Sequence, residues 1–206
     1  MIKAVFFDYD GVLTMDKTGS LTTNRYLSQV AGVELSRVKA AFSQYNKDLT
    51  LGKTTHSQIW HEVCRTLGLD LSINLLYEAF ESTPINVDMF ALARGLKGNY
   101  SLGIITDNKK DRIDHLKKHQ ALASLFSPIV VSSEVGAGKE NPEIFLHALE
   151  CAAVSAEESV FIDNNRGNLI AASGLGIEVI FHDDEKNEID ALVKNLKALG
   201  VVVGNA

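Results

Sequence analysis

The chain switches between short, unbroken apolar runs and longer stretches in which apolar residues return every three or four positions. The runs are IKAVFF at 2–7, SLGIIT at 101–106, PIVVSS at 128–133, SVFI at 159–162 and IEVIF at 177–181. Each is rich in β-branched or aromatic residues and bounded by polar or turn-forming ones. Continuous rather than alternating runs predict strands covered on both faces. Helical spacing recurs at 113–117, 144–149, 169–172 and 189–199. Strand and helix thus alternate over the C-terminal two thirds, the order of an α/β fold with a parallel sheet sandwiched by helices.

One segment breaks the alternation. From 16 to 84 no strand is expected, while amphipathic patterns recur at 26–31, 38–42, 59–67 and 75–80, separated by Gly32, Gly52 and Gly68. Four helices inserted after the first strand predict a small helical module, with Phe42 and Trp60 in its core. The expected division is a core of residues 1–15 and 86–206 and a helical cap of residues 16–85, hinged near 16–19 and 83–86. Such a module would stand over the carboxyl ends of the strands, where open α/β sheets bind ligands.

Composition changes the picture little, and charge narrows it. Of 206 residues, 46% are hydrophobic and 22% charged, the balance of an ordinary globular protein. A net charge of −6 argues against a nucleic-acid or anionic-membrane surface, since both need a basic footprint. Small polar or phosphorylated ligands stay open, and oligomeric state is not readable. Cys64 and Cys151 lack metal-type spacing and read as buried free thiols. With no leader pattern and no apolar run long enough to span a bilayer, a cytoplasmic setting is the expectation.

A parallel sheet brings the ends of its strands to one edge. The first strand delivers Asp8 and Asp10, the second Thr106, Asp107 and Asn108, and the fourth Asp163, Asn164 and Asn165; Lys139 precedes a helix opened by Pro142. These residue types suit a phosphoryl ligand. A carboxylate can attack phosphorus and divide one displacement into two. A dianionic phosphate approaches several carboxylates only with help from positive charge, which Lys139 and an oxygen-ligated Mg²⁺ would supply. Thr106 can donate to a phosphoryl oxygen. A Walker-type phosphate loop is excluded at GAGKE, because Ser133 and Glu140 stand where glycine and Ser or Thr are required.

In this order, FFDYDGVLT, IITDN, GAGKENPEIF and FIDNN, with a helical insertion after the first, resemble the four motifs of the haloacid dehalogenase superfamily, in particular its phosphatase-like members with a helical cap. The resemblance covers nearly the whole chain and implies a Rossmann-like core. It implies Asp8 as nucleophile and Asp10 as general acid and base. Thr106, Asp107 and Lys139 would contact phosphate. Mg²⁺ would be held by Asp8, the Asp10 carbonyl, Asp163 and Asn164. It departs from many relatives in having Asn164 where a second acid is usual, which predicts weaker metal affinity. The expected activity is hydrolysis of a small phosphorylated metabolite, a sugar phosphate or nucleotide. A phosphomutase or a non-catalytic phosphometabolite-binding relative is the alternative; a receiver domain fits poorly, because it would leave the helical insertion unexplained. The pairs His56/His61 and His115/His119 lack a third ligand and read as surface histidines.

Overall fold

The computed structural model describes residues 1–204. Five strands, β1 (Ala4–Phe7), β2 (Ser101–Thr106), β3 (Ile129–Val131), β4 (Ser159–Asp163) and β5 (Glu178–Phe181), form one parallel sheet in the order β3-β2-β1-β4-β5. Helices flank both faces, as the unbroken apolar runs predict. Every residue of β1 and β4 is buried. The side chains of β1 alternate between two cores: Phe6 belongs to one with Phe145 and Phe161, and Phe7 to the other with Phe126 and Ile162. Burying one such ring contributes roughly 2–3 kcal/mol.

Four of the five runs differ from the strands they yield, and two of them, β3 and β4, differ at the carboxyl end. The run at 128–133 yields only Ile129–Val131, because Ser132 opens a one-turn helix, α8 (Ser132–Val135). The Ser132 hydroxyl donates to the Thr50 carbonyl at 2.8 Å and accepts from the Asn108 amide at 3.0 Å, contacts that compete with a strand ladder. At the fourth strand the ladder runs one residue further and takes in Asp163.

Between β1 and β2 lie α1 (Gly19–Ala31), α2 (Leu35–Ser43), α3 (Asn46–Thr50), α4 (His56–Leu67), α5 (Asn74–Glu81) and α6 (Val87–Leu96). The sequence pattern predicts four helices before residue 84, and the fold has five. The unforeseen α3 has a single buried residue, Leu49, so no periodicity marks it. α1 starts well before its apolar stretch, capped by Thr18, and its first turns bury Thr22, Thr23 and Asn24 instead of apolar side chains. α4 opens on a Thr55/Gln58 capping box.

The chain enters and leaves this helical run side by side. Thr14 and Ile85 form an antiparallel bridge, the Met15 amide donates to the Pro84 carbonyl at 2.8 Å, and the Asn86 amide donates to the Leu13 carbonyl at 2.9 Å. Asn86 also donates through its side chain to the Val12 carbonyl at 3.0 Å. The remaining helices are α7 (Lys110–His119), α9 (Pro142–Ala152), α10 (Arg166–Gly174) and α11 (Ile189–Ala198). Among the described residues no helix is long and apolar enough to cross a membrane.

Candidate active site

The register that pairs Phe7 with Ile104 and with Ile162 sets Asp8 level with Ile105 and Asp163 at the carboxyl edge. Lys139 joins the two acids: its Nζ lies 2.8 Å from Asp8 Oδ1 and 2.7 Å from Asp163 Oδ2, with all three side chains buried. Asp163 is fixed further by the Asn165 amide at 2.6 Å and by Asn168 Nδ2 at 3.2 and 3.1 Å. One ammonium therefore serves two carboxylates. Burial, reinforced by Asp163 against the pull of Lys139, pushes the Asp8 carboxyl up to about 8. Burial also opposes the Lys139 charge, but Asp8, Asp163 and Asp107 outweigh it and hold the ammonium above its ordinary range.

The Asp8 shift carries a prediction. A carboxyl raised from 3.8 to about 8 in the fold binds more protons folded than unfolded between those values, so its contribution to stability falls as pH rises through that window. In chelator-treated protein, Asp8→Asn should flatten the decline in denaturant midpoint between pH 5 and pH 8. An unchanged slope would place the burden on other groups.

Asp10 points at a guanidinium. Arg112, from the first turns of α7, donates through Nη1 to Asp10 Oδ2 and through Nη2 to Asp10 Oδ1, both at 2.9 Å, and Asn108 Nδ2 adds a bond to Oδ2 at 2.8 Å. Every one of these partners is a donor, so Asp10 is held here as an acceptor. Arg112 also reaches Thr83 Oγ1 at 3.1 Å, and Gly19 lies so close that an added Cβ would sit 2.1 Å from its Cζ. Arg112 and Asn168 carry no sequence motif. A polar residue one turn into each helix that follows a catalytic strand was the available signal.

Between β1 and this contact the chain makes a tight turn over Tyr9–Leu13, in which Gly11 has φ +79°. Its missing side chain matters twice, since a Cβ would meet Asn164 Nδ2 at 2.2 Å. Asn164 thus packs on Gly11 beside the two acids.

Thr106 is buried with its Oγ1 accepting from Asn108 Nδ2 at 3.3 Å. It lines a cavity of ≈ 390 Å³ together with Asp8, Asp10, Asp107, Lys139 and Asn164. Of the nine residues that the sequence singles out at strand ends and before α9, seven line this cavity, Asn165 among them, while Asn108 and Asp163 stand behind them. Asp107 lines the same cavity, and its Oδ1 accepts from the Lys139 amide at 2.9 Å, so its side chain helps position the lysine loop. Burial pushes its carboxyl up as well.

For a metal, the donor set is two buried carboxylates, Asp8 and Asp163, with the Asp10 carbonyl and the Asn164 amide nearby in the chain. Among the described residues no three His, Cys, Asp or Glu side chains converge as a self-sufficient cage. The charge balance still favours a hard cation: two carboxylates share one ammonium, and Asp8 resists ionising without another positive charge.

Other sequence expectations need revision. His56 is not at the surface; its Nδ1 lies 2.8 Å from Asp111 Oδ1 and its amide donates to Asp111 Oδ2 at 2.8 Å, joining α4 to α7. Burial works against Asp111, but the hydrogen bond to His56 wins and draws its carboxyl below the usual range. His119 is exposed, as expected, and stacks on the half-buried His115; both approach Glu81 of α5, at 2.8 Å for His115 and 3.6 Å for His119. Cys64 is buried as expected, whereas Cys151 is exposed.

The fold and this edge define a parallel α/β core with an acid-rich site at its strand ends. The family profile of haloacid dehalogenase-like hydrolases matches residues 2–176. The chain belongs to that family and is a hydrolase. It is 26% identical over 222 residues to a phosphatase of Mycobacterium tuberculosis, covering 100% of this chain and 98% of that one. It is 26% identical over 218 residues to bifunctional epoxide hydrolase 2 of Rattus norvegicus, covering 94% of this chain but only 38% of the longer rat protein. Among solved structures, a HAD family enzyme of Bacteroides thetaiotaomicron superposes with a TM-score of 0.75 at 19% identity, over 93% of this chain and 98% of that one. That enzyme has also been captured with magnesium and inorganic phosphate.

Proposed function

We propose that this hydrolase is a Mg²⁺-dependent phosphatase that cleaves the phosphate monoester of a small phosphorylated metabolite through an aspartyl phosphate on Asp8. The observation that carries the reading is the Asp8–Lys139–Asp163 bridge, set in one cavity with Thr106 and a second carboxylate, Asp10. A carboxylate oxygen of Asp8 attacks phosphorus while the ester P–O bond breaks. Asp10, released from Arg112 and protonated, gives its proton to the departing alkoxide. Water then attacks the phosphorus of the aspartyl phosphate, Asp10 takes the proton, and Asp8 and inorganic phosphate are regenerated. Thr106 Oγ1 and Lys139 Nζ hold phosphoryl oxygens through both steps, and Asp107 keeps the lysine in place.

Asp8, Asp163, the Asp10 carbonyl and the Asn164 amide oxygen would hold Mg²⁺, as hard oxygen donors suited to it. When bound it neutralises charge between the phosphate and the carboxylates. The phosphatase relative and the magnesium and phosphate complex of the Bacteroides enzyme support this reading. Residues 16–85 act as the cap, closing on the leaving group and excluding water.

Phosphate release from a panel of small monoesters, with Mg²⁺ and with chelator, tests the proposal. Release that chelation abolishes is expected; transfer of the phosphoryl group to a second sugar without free phosphate would favour a mutase instead. Asn164→Asp should lower the Mg²⁺ concentration needed for half activity, because it adds a negative charge beside the cation. No change would mean that Asn164 serves only to pack on Gly11.

A further inference from the structure

A second cavity, of ≈ 210 Å³, adjoins the catalytic one and shares Gly19, Ser20, Asn46 and Lys109 with it as a common wall. It lies between the first turns of α1, the end of α2 and the start of α7, next to the catalytic cavity. The charged side chains lining it are Lys39, Lys109 and Arg112, and no Asp or Glu is among them. In a chain of net charge −6 that local imbalance is selective.

The three cations are not equally available. Arg112 is spent on Asp10. Lys109 donates only to the Ser20 hydroxyl, at 3.1 Å, and among the described residues has no acid within ion-pair distance. Surface lysines such as Lys3 and Lys110 do find acids, at Glu158 and at Asp114 and Glu134. Burial, with Arg112 adding repulsion, pulls the Lys109 ammonium down to about 8. A half-buried ammonium that lines a pocket with a second lysine and no acid gains from an anion placed there. Asn24 and Asn46 supply further donors, and Phe42 and Leu49 the large apolar walls.

Resting on the phosphatase reading, we propose that this pocket binds a second anionic group on the leaving alcohol, so that the preferred substrates are phosphate monoesters carrying a carboxylate or a further phosphate. Lys109 is the specificity residue and Lys39 its partner from α2. A neutral sugar alcohol would leave both ammonium groups without an anionic partner in the pocket.

The test compares esters of similar size in Mg²⁺: 2-phosphoglycolate, the bisphosphate of ethylene glycol, ethyl phosphate and phosphoethanolamine. The expected result is a kcat/KM at least tenfold higher for one or both anionic-tailed esters than for ethyl phosphate, with phosphoethanolamine poorest. Which of the first two leads separates a carboxylate from a second phosphate as the group recognised. In Lys109→Gln that preference should collapse to within about threefold, chiefly through KM of the anionic esters, and in Lys39→Gln it should fall part of the way. Equal rates for all four esters would overturn the subsite while leaving the phosphatase reading intact. If none is hydrolysed, calorimetric titration of the Asp8→Asn protein with 2-phosphoglycolate and with ethyl phosphate decides separately. Tighter binding of the former that Lys109→Gln removes upholds the pocket, and equal or absent binding rejects it.

Discussion

Replacing Asp8 with asparagine is expected to cut phosphate release by roughly 10⁴-fold or more, the scale on which loss of a covalent nucleophile is felt. The amide has the shape of the carboxylate but cannot form the acyl phosphate. Lys139 keeps its bond to Asp163, so the strand edge should survive the change. The metal-free variant should melt no lower than the wild type above neutral pH, because a buried carboxyl pushed up to about 8 has been removed. Activity and melting measured on one preparation separate the two effects. Residual turnover within tenfold of wild type would end the proposal that Asp8 attacks phosphorus. Asp10→Asn should be milder, about 10²–10⁴-fold, as for loss of a proton donor and acceptor.

Arg112→Ala should be the most destabilising single change at the site. Arg112 is 1% exposed and forks on Asp10 with two bonds of 2.9 Å while bracing Thr83 and Asn108. Removing one member of a buried pair strands the other, at a cost of about 3–5 kcal/mol. For a chain of this size that corresponds to a fall in Tm on the order of 10 °C. Arg112→Lys restores the charge without the planar fork and should recover only part of the loss. Urea denaturation of the three proteins in chelator checks the ordering. A loss below about 1 kcal/mol for the alanine variant would show that water enters and solvates Asp10.

The core was legible because its physics is local. Strands buried on both faces must be apolar throughout, so β1, β2 and β4 stand out, and a parallel sheet obliges the acids after them to meet. The helical insertion was visible from its periodicity, except for α3, whose five residues offer only Leu49 to a pattern. The first turns of α1 were missed because they are polar. They face the site and the guanidinium of Arg112 rather than a hydrophobic core, so the usual signal is absent where function replaces packing. Arg112, Asn168 and the His56–Asp111 contact could not be read for a different reason. Arg112 meets Asp10 and His56 meets Asp111 across 102 and 55 residues, by tertiary docking that neither local sequence requires, whereas Asn168 bonds Asp163 only five residues away but carries no motif of its own. Asp107 shows the reverse limit: its position beside Thr106 was evident, but not that its carboxylate would turn toward the Lys139 amide.

The bridge between Thr14 and Ile85 bears on how the helical unit can move. Two separate strands of chain would let it slide and twist over the sheet, and each excursion would present a different wall to the same acids. Stitched together by the Met15 and Asn86 amides, they form a short ribbon that resists shear and torsion and leaves bending as the soft coordinate. As the cap we propose, the unit would swing like a door on one pin, and whatever pocket it carries would return to the same place at every stroke.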